Sequence, residues 1–328
     1  MIDNHQRTVN YLRLAVTDRC NLRCFYCMPE EGINFVERRE LLTYEEMLHL
    51  IRLMAELGIK KVRITGGEPF VRKNLLGFIR RLVRIPGIES VPMTTNGTLT
   101  RRHLDELVGL GIRSFNLSID SLDRQRFHHI TRRDYLPEVL ACLHDMIDRG
   151  LDVKLNAVVM KDKNIADILP MVELTRERDI AVRFIEEMPF NGSGPHSTQL
   201  EWNYLKILDH ISNAHPQIEK LVDAPFSTSR NYRIAGFRGS FGIIPAYSRS
   251  FCGTCNRLRM TPQGLIKTCL YDRGVFNLRD LLRAQASDAD LKIAIQEAVG
   301  SRSKDGFEAE AKSRQRGKTF ESMASIGG

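Results

Sequence analysis

A chain of 328 residues with 42% hydrophobic and 27% charged residues carries enough apolar side chain for one large α/β domain or two ordinary ones. No run approaches the ~20 apolar residues that span a bilayer, and the start of the chain (Asp3 to Arg7) is polar rather than signal-like, so a cytoplasmic protein with no membrane partner is expected. The net charge of +8 suits nucleic acid or a small polyanion, but the basic residues are scattered, aromatic residues are only 7%, and no RNA-binding or zinc-finger pattern occurs, so a small anionic ligand and no nucleic acid is the expectation.

Short apolar runs alternate with amphipathic stretches. The spacing predicts strands over 11–16, 61–65, 90–94, 113–119, 153–159 and 182–186. It predicts helices between them over 44–57, 75–85, 102–110, 137–149 and 165–178. Repeated βα units argue for a parallel sheet, and six units are too few for the eight of a closed barrel. The expected fold class is therefore α/β, an incomplete (βα)6 TIM-like barrel over residues 1–195. Asn191 to Pro195 is a loop signal. Residues 196–300 then read as a helix over 201–211, a β-like, turn-rich C-terminal extension, and two helices over 277–283 and 288–299. Residues 301–328, polar and aperiodic, read by composition as a flexible tail ending in Gly327-Gly328.

Seven cysteines are present, and six of them form two triplets. Cys20, Cys24 and Cys27 are spaced C-x3-C-x2-C directly after the first predicted strand; Cys252, Cys255 and Cys269 are spaced C-x2-C-x13-C in the extension. An odd count without a signal sequence argues against a disulfide framework and for metal ligation. Cys142 falls in a periodic segment and reads as a small buried thiol. Three thiolates leave one iron of a cubane cluster open, so each triplet can hold a cluster that binds another molecule directly. Structural zinc would need a fourth ligand, and none follows the first triplet closely. The strand ending at Thr65 runs into Gly66-Gly67-Glu68-Pro69, a strand-to-helix turn by itself. Arg257 and Arg259 alternate on an extended segment and share a face, a good phosphate clamp beside a cluster ligand. Arg13, Arg63 and Lys154 are charged positions within apolar strands, costly to bury unless a bound polyanion meets them. Neither a P-loop nor a dinucleotide-binding glycine fingerprint is present.

The first triplet, with Tyr26 just before its third cysteine, resembles the signature of the radical S-adenosylmethionine superfamily. The resemblance implies that the open iron chelates S-adenosylmethionine, whose reductive cleavage yields a 5′-deoxyadenosyl radical. It also implies that Tyr26, Gly67, Ser118 and Met188 lie beside that cofactor. The stretch Cys252-Gly-Thr-Cys-Asn-Arg-Leu-Arg259 with Cys269 resembles one branch closely, the GTP 3′,8-cyclases of molybdenum cofactor biosynthesis, and the likeness runs from about Tyr11 to the C-terminal glycines. It implies two [4Fe–4S] clusters and GTP as substrate. The implied product is (8S)-3′,8-cyclo-7,8-dihydroguanosine 5′-triphosphate, formed when the ribose 3′ hydrogen is abstracted and the carbon radical attacks C8. Implied substrate contacts are Arg13, Arg63, Thr94, Lys154 and the run Arg257, Leu258, Arg259; Gly327 and Gly328, with the two arginines, are implied to serve catalysis from within the active site. Implied partners are an electron donor such as flavodoxin or ferredoxin, a downstream cyclic pyranopterin monophosphate synthase, and a second copy of the chain. Glu187, where an uncharged residue is common, and Ile243 and Ile244, where a polar turn is common, depart from the pattern. Two other readings remain: a radical enzyme with an auxiliary cluster acting on a peptide, and a non-enzymatic zinc protein that binds nucleic acid.

Overall fold

The computed structural model describes residues 1–188, 200–315 and 321–327. Its frame is six parallel strands: β1 (Tyr11–Ala15), β2 (Lys61–Thr65), β3 (Met93–Thr95), β4 (Ser114–Ser118), β5 (Asp152–Val159) and β6 (Ala181–Glu186). They pair in chain order. Strand period explains both faces. On β5, Val153, Leu155, Ala157 and Val159 are buried, while Lys154, Asn156 and Val158 face the concave side. On β1, Leu12 and Leu14 enter the core while Tyr11 and Arg13 face the concave side.

Helices cover the convex side: α1 (Tyr44–Glu56), α2 (Leu75–Leu82), α3 (Leu104–Gly109), α4 (Arg124–Thr131), α5 (Leu136–Asp148) and α6 (Ile168–Glu173). Helix α1 starts at a capping box, with Thr43 Oγ1 accepting from Glu46 N at 3.1 Å and Glu46 accepting from Thr43 N at 2.7 Å. It buries Met47, Leu50, Ile51 and Met54 against the sheet. Cys142 is fully buried on α5. The stretch 165–178 is less helical than its periodicity predicts: a short 3-10 turn (Ile165–Asp167) leads into α6. Helix α4 has no counterpart among the expected helices; its Arg- and His-rich sequence hides the period, and Asp123 caps it by accepting from Arg126 N at 2.8 Å.

The C-terminal half adds α7 (Tyr204–Ala214), β7 (Ile218–Lys220), β8 (Arg230–Ile234), β9 (Ser240–Ile244), β10 (Arg257–Met260), β11 (Leu265–Lys267), β12 (Phe276–Asn277), α8 (Leu278–Arg283), α9 (Asp288–Gly300), α10 (Gly306–Gln315) and α11 (Met323–Ile326). These strands do not form a separate layer. β10 pairs with β1 and β9 pairs with β6, both parallel, giving one twelve-stranded sheet of order β12-β11-β10-β1-β2-β3-β4-β5-β6-β9-β8-β7. The barrel stays open, and the extension covers both of its edges. Ile243 and Ile244 are strand residues here rather than a turn.

The tail departs from its compositional reading. Residues 306–315 are helical because Arg249, only 4% exposed in its side chain, reaches them. It donates to Gly306 O at 2.7 Å and Glu310 Oε2 at 2.6 Å, and its guanidinium lies 4.4 Å from the Phe307 ring and 3.6 Å from that of Tyr271. Local periodicity cannot reveal a helix held by a distant arginine. Arg249→Ala is expected to remove roughly 3 kcal/mol of local stability and to expose 306–315 to limited proteolysis while the barrel stays resistant. Unchanged cleavage would show that α10 is held otherwise.

Candidate active site

The concave side encloses a cavity of about 770 Å³, and all six triplet cysteines line it. The first triplet sits in a loop that leaves β1 and is pinned to the end of α4: Arg23 N donates to Thr131 O at 2.9 Å and Phe25 N to Ile130 O at 3.2 Å. Asn96 donates to Cys20 Sγ at 3.7 Å. The Gly66-Gly67 turn after β2 packs against this loop without room for a side chain. A Cβ on Gly66 would lie 2.4 Å from Thr17 O, and one on Gly67 would lie 2.3 Å from Arg19 O.

The second triplet is gathered by the β10–β11 hairpin, which pairs Arg259 with Lys267 and so returns Cys269 to Cys252 and Cys255. Asp272 fixes the turn by accepting from Thr268 N at 2.7 Å and Cys269 N at 2.8 Å. All these cysteines are unpaired thiols. Burial, with mutual repulsion, pushes Cys24 and Cys27 well up, and Cys20 rises to about 11 through burial and Glu68. Cys269 is pushed up to about 12 by burial, with Asp272 and its fellow cysteines adding to it. Thiolates so crowded need a cation among them, and an iron–sulfur cluster supplies it; the residues fit the group. Among the described residues, no three or more His, Cys, Asp or Glu converge on a single ion. Thiolates on different irons of one cubane stand wider apart than the ligands of one zinc.

Register builds a row of cations between the triplets. Arg13 on β1 lies directly between Arg259 on β10 and Arg63 on β2. Tyr11, one pleat earlier, lies between Arg257 and Lys61. Arg63 is 6% exposed; it donates through Nε to the Tyr11 hydroxyl at 2.5 Å and through Nη1 to Met93 O at 3.2 Å and Thr94 Oγ1 at 3.5 Å. Burial and then the charges of Arg259, Arg63 and Arg257 push Arg13 down to about 9. Burial raises the Tyr11 phenol, but Arg63, Arg13 and Lys61 outweigh it and bring it to about 7. Lys154 is paired with Asp152, and burial holds its ammonium below the usual range. An anion in this row would relieve the repulsion.

Part of the row is already engaged by the tail. The Gly327 carbonyl accepts from Arg259 Nη1 at 2.7 Å and from Arg13 Nη2 at 3.2 Å. Gly327 has φ +74° and a Cβ there would lie 2.9 Å from Thr65, so only glycine fits. Ser322 Oγ donates to Cys27 O at 2.5 Å, tying α11 to the first triplet. Gly328 and the 195/196 boundary lie outside the described residues.

The other predicted residues divide. Tyr26, Gly67, Ser118 and Met188 all line the cavity, as do Thr94 and Arg257, and the Tyr26 hydroxyl donates to Asp120 Oδ2 at 2.7 Å. Leu258 does not line it. Its side chain is fully buried in the core, because a strand sends neighbours of Arg257 and Arg259 to the opposite face, so only its backbone remains for a ligand. Glu187 lines the cavity and is not without interactions. The sequence reading omits Arg183 on β6, although it is, like Arg13, a charge within an apolar strand. It lines the cavity with a buried Nε that has no partner among the described residues, and Asn116 and Asn156 each present an Oδ1 there that is likewise unpartnered among them. Buried polar atoms left open on a cavity wall fit a polar ligand.

Glu68, fully buried behind the glycines, accepts from Asn96 N at 2.8 Å and Thr95 Oγ1 at 2.9 Å, yet burial raises it to about 7. The folded protein therefore binds a proton that the unfolded chain releases near 4.5. Its stabilising effect is complete below that value and is lost as pH rises through about 7. Folding stability is expected to fall by roughly 2–3 kcal/mol from this group between pH 5 and 8, and Glu68→Gln to flatten that slope; an identical slope in the variant would contradict the assignment.

A partial parallel barrel with three cysteines after its first strand and a glycine turn after its second is the architecture of radical S-adenosylmethionine proteins. Residues 14–175 match the Radical SAM superfamily and residues 180–307 match Molybdenum Cofactor Synthesis C. The chain is 40% identical over 310 residues to Molybdenum cofactor biosynthesis protein 1 of Drosophila melanogaster, covering 94% of itself and 55% of that protein. It is thus about half the length of several of its relatives, among them the human protein of the same name, of which it spans 47%. It is 40% identical to the GTP 3′,8-cyclase of Syntrophomonas wolfei over 296 residues, covering 89% of itself and 90% of that chain. Identity to the GTP 3′,8-cyclase of Heliobacterium modesticaldum is 42%, covering 91% and 92%. Among solved structures, SuiB of Streptococcus suis superposes with TM-score 0.60 at 14% identity over 87% of this chain and 67% of its own; at that identity the likeness is one of fold. Within the radical SAM superfamily, the chain belongs to the GTP 3′,8-cyclase family. No described helix is long and apolar enough to cross a membrane.

Proposed function

We propose that this chain is a radical S-adenosylmethionine enzyme that converts GTP to 3′,8-cyclo-7,8-dihydroguanosine 5′-triphosphate, the first step of molybdenum cofactor biosynthesis. The observation that carries the reading is that two three-cysteine sets and a row of arginines open on one cavity of about 770 Å³, a size that suits nucleotide-scale ligands. Cys20, Cys24 and Cys27 would hold one [4Fe–4S] cluster, and Cys252, Cys255 and Cys269 the other. With S-adenosylmethionine, the first supplies a hydrogen-abstracting radical when reduced.

The chain's own residues do the rest. Gly66 and Gly67 let backbone approach the cofactor closely, with Tyr26, Ser118 and Met188 around it. Arg13, Arg63, Arg257, Arg259 and Lys154 bind the triphosphate, with Thr94 and Arg183 beside them. Held at that end, the nucleotide presents its ribose toward the first triplet and its base toward the second. The walls exclude water, which would otherwise quench a radical. Gly327 places a carbonyl between Arg13 and Arg259, and deleting Gly327 and Gly328 is expected to leave both clusters in place but abolish turnover; unimpaired turnover would remove the tail from the mechanism. A flavodoxin or ferredoxin as donor, a cyclic pyranopterin monophosphate synthase as recipient of the product, a homodimer and a cytoplasmic setting follow from the family likeness.

The test is anaerobic incubation of the reconstituted protein with S-adenosylmethionine, dithionite and GTP. The expected result is 5′-deoxyadenosine that depends on GTP, together with a cyclised nucleotide. Cofactor cleavage indifferent to GTP, or protein that purifies with zinc, would contradict the reading.

A further inference from the structure

Carboxyls stand near both triplets, Asp272 and Asp305 in the case of the second. Behind the first are two buried carboxyls, Glu68 and Asp120. Around the second stand arginines, Arg257, Arg259 and Arg302 among them. Arg302 follows α9, is 3% exposed, and lines the cavity. Its Nη1 pairs with Asp3 Oδ2 at 3.0 Å, while its Nε is buried and without a hydrogen-bond partner among the described residues.

The same network grips the loop of the second triplet. Arg7, 8% exposed, pairs with Asp3 Oδ2 at 2.7 Å and donates to Cys252 O at 3.1 Å and Ser303 O at 2.8 Å. His5 Nε2 lies 3.1 Å from Arg302 O. The N-terminal turn thus fixes Arg302 on one side and Cys252 on the other. Arg302 lines the same cavity as Cys252, Cys255 and Cys269. A buried, unpartnered N–H beside a set of cluster ligands is costly unless a cluster sulfur accepts it.

We propose that Arg302, oriented by Asp3, directs its Nε–H and its charge at the cluster held by Cys252, Cys255 and Cys269 and raises that cluster's reduction potential. Hydrogen bonds to sulfur and added positive charge both favour the reduced, more negative cluster. Arg302 is a tuning residue, not a catalytic one. The inference rests on the two-cluster reading.

The experiment is a redox titration followed by electron paramagnetic resonance on the full chain with both clusters, comparing wild type, Arg302→Met and Asp3→Asn. Arg302→Met removes the charge and the N–H at similar length. It is expected to make the second cluster at least tenfold harder to reduce at fixed potential, about 59 mV for one electron, with the first cluster unmoved. Asp3→Asn removes the opposing negative charge and is expected to shift the second cluster the other way. Opposite signs cannot come from general loosening of the loop. An unmoved second cluster in Arg302→Met, or equal shifts in both clusters, overturns the proposal. If Arg302→Met fails to retain iron, Asp3→Asn decides: no rise overturns it. Wild-type protein with one cluster signal and about four irons would instead overturn the two-cluster reading.

Discussion

Arg13→Met is expected to weaken GTP binding by about a hundredfold while raising the protein's melting temperature. The two effects share a cause. Arg13 lies between Arg259 and Arg63 in the sheet register, and burial with those neighbours depresses it to about 9. It is still charged at neutral pH, so the folded protein holds that charge at a cost which the unfolded chain does not bear. A methionine of similar length removes the cost and the desolvation together. The same substitution leaves a bound triphosphate one cation short in a buried row, and losing one partner of a buried charge pair costs about 2–5 kcal/mol; about 2.7 kcal/mol is a hundredfold. Isothermal titration with GTP and a thermal melt check both. Unchanged affinity would remove Arg13 from the triphosphate site, and a lower melting point would show that its contact with the Gly327 carbonyl outweighs the repulsion.

Gly67→Ala is expected to abolish assembly of the first cluster. The new Cβ would meet Arg19 O at 2.3 Å, Arg19 C at 2.5 Å and Cys20 N at 3.0 Å. These are backbone atoms of the segment that leads into Cys20, and they cannot rotate aside. Either the β2 turn or the cysteine loop must move, and Glu68, which follows, is tied down by Asn96 N and Thr95. The loop is the freer of the two. Iron analysis is expected to fall from about eight to about four per chain, with the second cluster's spectrum retained. Full iron content in the variant would show that the turn yields instead.

Much of this was legible in the sequence, for a physical reason. The β5 strand shows its alternation plainly because one face meets the helices and the other a cavity. The two triplets declare themselves by spacing alone. Arg183 was within reach of the same argument that picked out Arg13, Arg63 and Lys154, since a charge inside an apolar strand needs a partner. Leu258 enters only through the family's contiguous run, although strand period alone sends it away from its neighbours' face. Other features have no local signal. That β10 pairs with β1 and β9 with β6 depends on residues far apart in the chain, and so does the row Arg259–Arg13–Arg63 that this register creates. Helix α10 is polar and aperiodic; it is held by Arg249, which lies in another segment.

The central claim is that one cavity holds a nucleotide by its phosphates so that its ribose faces the first triplet. GTP carrying deuterium at the ribose 3′ position tests it most directly. Turnover with S-adenosylmethionine and dithionite is predicted to place the deuterium in 5′-deoxyadenosine, read by mass spectrometry. Unlabelled 5′-deoxyadenosine, with the deuterium still on the nucleotide, would contradict the account.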